Sequence, residues 1–199
     1  MDARQTMKRL QADLKQISRD PPVGISADIS DDGNIFHWIA MICGPGDTPF
    51  EGGTFRLRIE FPQNYPQKPP TVWFYSRMFH PNVYSNGRIC LDILEDENKW
   101  NPTYDAASIL CAIQSMLGDP NPDSPANGEA SDLFRTNNTE YELRVKQIVA
   151  MSEEEEITGV EDKNLNKQDV REEIVARLDT LDLSDFQGTS EQLRQFLTS

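Results

Sequence analysis

The chain of 199 residues predicts an α+β fold in the order helix, strands, long loop, helices. Three observations carry that reading. A helix-period apolar stripe opens the chain, and period-two alternation follows it. A wide apolar helical face then comes after a stretch with little periodicity.

Taken in order, Met7, Leu10, Leu14 and Ile17 fall at three- and four-residue spacing and form one stripe. Arg4, Lys8, Arg9 and Lys15 lie largely off it and, by charge pattern alone, read as a solvated face. Asp20-Pro21-Pro22 stops the helix. Phe36, Trp38, Ala40 and Ile42 then alternate with His37, Ile39 and Met41. Phe55, Leu57, Ile59 and Phe61 alternate with Thr54, Arg56, Arg58 and Glu60, the pattern of a half-buried strand. Asp31-Asp32-Gly33-Asn34 and Gly44-Pro45-Gly46-Asp47 are turn signals between strands. Val72-Trp73-Phe74-Tyr75 is a further strand after a stiff proline-rich segment. Short connections between successive strands favour an antiparallel meander.

Residues 80–102 show little periodicity, and so long an irregular stretch inside a domain is usually functional. Ile109, Leu110, Ile113, Met116 and Leu117 mark the next helix, which Asp119-Pro120-Asn121-Pro122 breaks. Short helices are expected around residues 126–134 and 139–151, so the domain is placed at 1–151. Residues 152–199 read as an extension that opens with a solvated linker, Ser152 and four glutamates. Two amphipathic helices are expected beyond it. One is carried by Val170, Ile174, Leu178 and Leu181, the other by Leu193, Phe196 and Leu197 behind a Thr189/Gln192 capping box.

The net charge is −14. Residues 1–150 hold 14 basic and 20 acidic side chains, and residues 151–199 hold 5 and 13. This balance argues against direct nucleic-acid binding by charge and permits binding to basic proteins. No apolar run approaches the roughly 20 residues of a membrane span, so no membrane partner is expected. No apolar stretch follows the N-terminus, which argues against a secretory signal. Three cysteines and two histidines at these spacings favour neither a disulfide framework nor a zinc site. No metal is expected.

Cys90 is the residue that carries chemistry. An intracellular cysteine is more often an inert buried residue, and Cys43 and Cys111 are read that way. Cys90 lies instead in a stretch dense in Asn, Gly, Pro and His. A cysteine protease needs a histidine and an orienter for it. The candidates are His37, in a strand, and His80, followed at once by Pro81; His80 is read as holding the loop by hydrogen bonding. A thiol without a strong base suits an acyl carrier, whose thioester must survive water until an amine arrives. Asn82 is open to two roles. Its amide can donate to an oxyanion, an effect worth about 3 kcal/mol in enzymes, or it can brace the loop backbone.

At this point the chain resembles the ubiquitin-conjugating enzymes across residues 1–151. The resemblance rests on Tyr65-Pro66-x-x-Pro69-Pro70, His80-Pro81-Asn82, Asn86-Gly87-x-Ile89-Cys90-Leu91-Asp92-Ile93-Leu94, Trp100-x-Pro102 and Asp119-Pro120-Asn121-Pro122. Val83-Tyr84 and Ser124-Pro125-Ala126-Asn127 look most like the branch that modifies histones, DNA-replication clamps and degradation substrates, several members of which carry acidic tails. The resemblance implies the ubiquitin-conjugating fold, with a four-stranded meander and a long active-site loop. It implies that Cys90 accepts ubiquitin as a thioester from an ATP-driven activating enzyme and passes it to a substrate lysine, usually with a ring-type ligase. The chain itself would use no cofactor.

Asn82 matches the family's oxyanion or loop-organising residue, and His80 and Pro81 its loop-structural positions. Asp92 and Asn121 match rim positions that help place the lysine. Ser124 matches a gate position where many relatives carry aspartate; phosphorylation there would supply a charge. Arg4, Lys8, Arg9 and Lys15 match the first-helix surface that meets the activating enzyme. Gln67, Pro102 and Thr103 match the ligase surface, although many relatives have an aromatic at Gln67. The family implies cytoplasmic and nuclear residence. Trp100 stands ten residues after Cys90, about two more than in close relatives. The SUMO-conjugating enzyme has an insertion of similar length, so SUMO is the alternative modifier, while Asp92 and Asp119-Pro120-Asn121-Pro122 favour ubiquitin. A non-catalytic binding module on the same fold is the remaining alternative; such variants lack the cysteine.

Overall fold

The computed structural model describes residues 3–159, with side chains to residue 152. The helices expected in residues 160–199 lie outside the described residues. Helix α1 spans Ala3–Arg19 and buries Met7, Leu10, Leu14 and Ile17, the stripe read from the sequence. The sheet has the order β1-β2-β3-β4, with every neighbouring pair antiparallel. The strands are β1 (Ile25–Ile29), β2 (His37–Cys43), β3 (Thr54–Glu60) and β4 (Thr71–Phe74). Register sets Trp38 opposite Ile59, Ala40 opposite Leu57 and Ile42 opposite Phe55, so one face of β2 and β3 is wholly apolar. β1 is the strand that alternation does not single out: it is five residues long, lies at the sheet edge and buries Ile25 alone.

A single helical turn, α2 (Asp92–Glu95), sits inside the long loop. Helix α3 (Ala106–Gly118) is capped by Asp105, whose carboxylate accepts from Ser108 N at 2.8 Å. It lays Ile109, Leu110, Ile113, Met116 and Leu117 into the core. Helix α4 (Gly128–Thr136) is capped by Asn127, and α5 covers Asn138–Gly159. The sequence boundary at 151 therefore falls within α5, and the acidic stretch begins as helix rather than linker. Glutamate is a good helix former, which favours continuation. Ser152 is buried, donates to Val149 O (2.8 Å) and accepts from Thr54 N (3.2 Å), tying α5 to the start of β3.

A buried polar knot joins α1 to the loops around it. The Asp13 carboxylate accepts from Arg9 Nε (2.8 Å), Tyr65 Oη (2.7 Å) and Ala106 N (3.3 Å). Arg9 also donates to Pro102 O (2.9 Å) and Tyr104 O (2.7 Å), while lying over the Tyr65 ring. Trp100 Nε1 donates to Pro66 O at 2.8 Å. Burial pushes the Asp13 carboxyl above its usual range, and the Arg9 and Tyr65 contacts pull against that shift. Asp13 is 4% exposed, so each donor matters. Tyr65→Phe removes one donor while keeping the ring. It is expected to cost about 1–3 kcal/mol of unfolding free energy in urea titration.

Candidate active site

The segment carrying Cys90 is a tight reversal pinned to β4. Phe74 N donates to Gly87 O (2.9 Å), and Ile89 N donates to Val72 O (3.0 Å). Gly87 has φ 83°, and a Cβ there would stand 2.3 Å from Phe74 O, so both conformation and space demand glycine. Val83 and Ile89 pair across the reversal and are each 2% exposed, anchoring it in the core. Cys90 follows at the rim, half-buried, with its N–H donating to Asn82 O at 2.9 Å.

Facing Cys90 are α3 and the segment after it. Together they enclose an open cleft of about 240 Å³, lined among others by Asn82, Cys90, Asp92, Ser115, Asn121 and Ser124. The structure thus gathers the predicted Cys90, Asn82, Asp92, Asn121 and Ser124 around one cavity. Ala112, Ser115 and Asp119 also line it and were not picked out from the sequence. Their signal is a stripe at three- and four-residue spacing beside the apolar face of α3. Tyr84 was likewise missed as a site residue. Its exposed phenol is close enough to the Cys90 thiol for that neighbour to push the phenol pKa up.

Asn82 organises the cleft. Its side-chain amide donates to Asn121 O (2.7 Å) and Ser124 O (3.3 Å), and its Oδ1 accepts from Asn121 N (2.7 Å). Ala126 N and Asn127 N donate to Pro81 O at 2.8 and 2.9 Å, extending the clasp. On the outer side, Ser131 and Arg135 hold Pro122 O, and Arg135 pairs with Asp123 at 2.6 Å.

His80 is fully buried; Nε2 lies 2.9 Å from Met116 O and Nδ1 accepts from Asn82 N at 2.9 Å. Both ring nitrogens are therefore committed, with Nε2 carrying the proton. Burial lowers the pKa to about 4. The ring is neutral near pH 7 and does not line the cleft.

The profile of the family described as ubiquitin-conjugating enzyme matches residues 9–149. The chain belongs to the ubiquitin-conjugating enzymes. It is 57% identical over 145 residues to ubiquitin-conjugating enzyme E2 3 of Arabidopsis thaliana, covering 73% of this chain and 95% of that one. It is equally identical, over the same share of this chain and 74% of the relative, to ubiquitin-conjugating enzyme E2 1 of Caenorhabditis elegans. The corresponding protein E2 2 of Mycosarcoma maydis is 59% identical, with 73% and 77% covered. These relatives are named for ubiquitin conjugation and none for SUMO, so ubiquitin is the modifier and the reaction is group transfer. Ubiquitin, an activating enzyme and ubiquitin ligases are the family's partners.

The remaining predicted residues of this conjugating enzyme lie away from the cleft. Lys8 is exposed on α1, Arg4 and Lys15 are half-buried, and Arg9 is engaged in the Asp13 knot. Gln67, Pro102 and Thr103 are exposed, and the bond from Trp100 to Pro66 O brings their two loops together. Cys43 and Cys111 depart from expectation: both are exposed. Cys43 is the last residue of β2, and Cys111 lies on the outer side of α3, where the apolar face gives no reason to bury it. Among the described residues, no three His, Cys, Asp or Glu side chains gather where they could hold a metal ion. No described helix is long and apolar enough to cross a membrane.

The depressed His80 pKa carries a sign. Below about pH 6.5 the unfolded chain binds a proton that the folded chain refuses until about pH 4. Stability from this group is therefore full above pH 6.5 and lost as pH falls to 4. Asp13 acts in the opposite direction. Urea titrations of wild type and His80→Gln isolate the histidine: the stability gap between them is expected to shrink by about 2 kcal/mol between pH 7 and pH 5.

Proposed function

We propose that Cys90 is the acceptor of ubiquitin, held as a thioester until a substrate lysine takes it. The observation that carries this is the position of Cys90: it is the one thiol lining the cleft among the described residues, with a neutral buried histidine as the nearest loop imidazole. The Cys90 thiolate attacks the carbonyl carbon of the ubiquitin thioester on the activating enzyme. One C–S bond forms, the other breaks, and the activating enzyme's thiolate leaves. Because the bonds are alike, the exchange needs no cofactor here; ATP is spent upstream by the activating enzyme. A lysine amine then attacks the same carbon, a C–N bond forms, the Cys90 thiolate leaves, and the amine proton passes to solvent.

A cleft without an imidazole suits this carrier. Water is poorly activated, whereas a delivered amine is nucleophilic without a base once deprotonated. Asn82 acts as a brace, since both its amide hydrogens and its Oδ1 are used within the loop. Asp92, Asn121 and Ser124 form the rim that receives the lysine. Ser124 is uncharged, and phosphorylation would put roughly −1.5 to −2 charges there. Arg4, Lys8 and Lys15 serve the activating enzyme, with Arg9 shaping the surface beside them; Gln67, Pro102 and Thr103 serve a ring-type ligase. The net charge of −14 suits basic protein substrates. With the sequence resemblance to the histone-modifying branch, it supports residence in nucleus and cytoplasm.

The test is charging with ATP, activating enzyme and ubiquitin, read on a non-reducing gel. Wild type is expected to give an adduct cleaved by thiols, Cys90→Ala none, and Cys90→Ser an ester that resists thiols.

A further inference from the structure

Residues 95–99 carry a lysine back to the cleft. The reversal is rigidly made: Lys99 N and Trp100 N both donate to Asp96 O (2.9 and 3.0 Å), and Asn98 N donates to Asp96 Oδ1 (2.9 Å). Trp100 is 7% exposed and pinned to Pro66 O, so the end of the turn is fixed. Arg88 pairs with Glu95 at 2.8 Å and fixes its start. Between these anchors Lys99 turns back, and its ammonium forms a close ion pair with Asp92 Oδ2. Asp92 lines the same cleft as Cys90.

We infer that Lys99 is a tethered competitor of the incoming lysine: its ammonium occupies the Asp92 carboxylate that the substrate amine must engage. This rests on the proposal that Cys90 carries ubiquitin. The Asp92 contact also raises the Lys99 pKa, which keeps the group protonated and so a poor nucleophile. Lys99 is thus a positioning residue that sets how readily amines enter, not an acceptor. Lys99 and Asp92 are each about half exposed (54% and 55%), so the pair is displaced easily and its effect is modest. A free amine meets the whole of that barrier, while a substrate held by a ligase has the local concentration to displace Lys99. The pair therefore favours delivered lysines over stray ones.

The test measures discharge of pre-charged enzyme to free lysine over a range of lysine concentrations, with activating enzyme quenched. Lys99→Ala is expected to lower the apparent KM for lysine about two- to five-fold with kcat little changed, the scale of a surface ion pair. Lys99→Arg, which keeps the charge, is expected to behave as wild type. The gap between Lys99→Ala and wild type is expected to close near 1 M salt, where screening acts within about 3 Å. In an Asp92→Asn background Lys99→Ala is expected to have no further effect. Equal KM values for wild type and Lys99→Ala at low salt would overturn the inference. So would a thiol-resistant self-adduct that disappears in Lys99→Arg, because Lys99 would then be an acceptor. Failure of wild type to form any thioester would instead overturn the reading of Cys90, and the inference with it.

Discussion

The cleft depends on the clasp made by Asn82. One residue joins three stretches of chain: its N–H meets the His80 ring, its carbonyl accepts from Cys90 N, and its side chain holds Asn121 and Ser124. Asn82 itself is 3% exposed, so its polar atoms depend on these bonds, although Asn121 and Ser124 across the clasp are exposed. Breaking one leaves a buried polar group unpaired, at a cost of about 1–3 kcal/mol. The Cys90 thiol and the rim proposed to receive the lysine are thereby held together, although they lie in segments far apart in sequence.

The rest of the fold supports that clasp. The meander supplies a rigid edge at β4 onto which the Cys90 reversal is hydrogen-bonded, and α3 supplies the opposite wall. His80 links the two, since the carbonyl it meets belongs to Met116 of α3. The Asp13 knot likewise ties α1 to a loop, since Arg9 donates to the carbonyl of Pro102, one of the predicted ligase-surface residues. The chemistry then asks little of the site. Exchange between thioesters needs a positioned thiol and access, while endurance of the thioester needs the absence of an activating base. The buried, neutral His80 meets that second need because its nitrogens are spent on structure.

Much of this was legible in the sequence. The stripe of α1 and the alternation of β3 are clear because each element buries one face against a single core. Cys90 stood out through the residues around it, and the rim through motif resemblance. Other features depend on tertiary contact. β1 is short and at an edge, so burial leaves little pattern on it. The run past residue 151 looked like a solvated linker, but Ser152 docks on Thr54, a contact 98 residues apart in sequence. Composition could not separate the two roles of Asn82; the geometry of its three side-chain bonds favours the brace. Nothing in the sequence pattern pairs Lys99 with Asp92, seven residues earlier; the turn at Asp96 does so.

The most direct test is amide hydrogen exchange across residues 119–127 in Asn82→Ala, compared with wild type. If Asn82 is the brace, exchange there should quicken by about ten-fold or more, the scale of one lost buried bond. Wild-type protection in that segment, together with loss of transfer to lysine from a normally charged Cys90, would contradict the account. It would make Asn82 a donor to the reacting carbonyl oxygen instead.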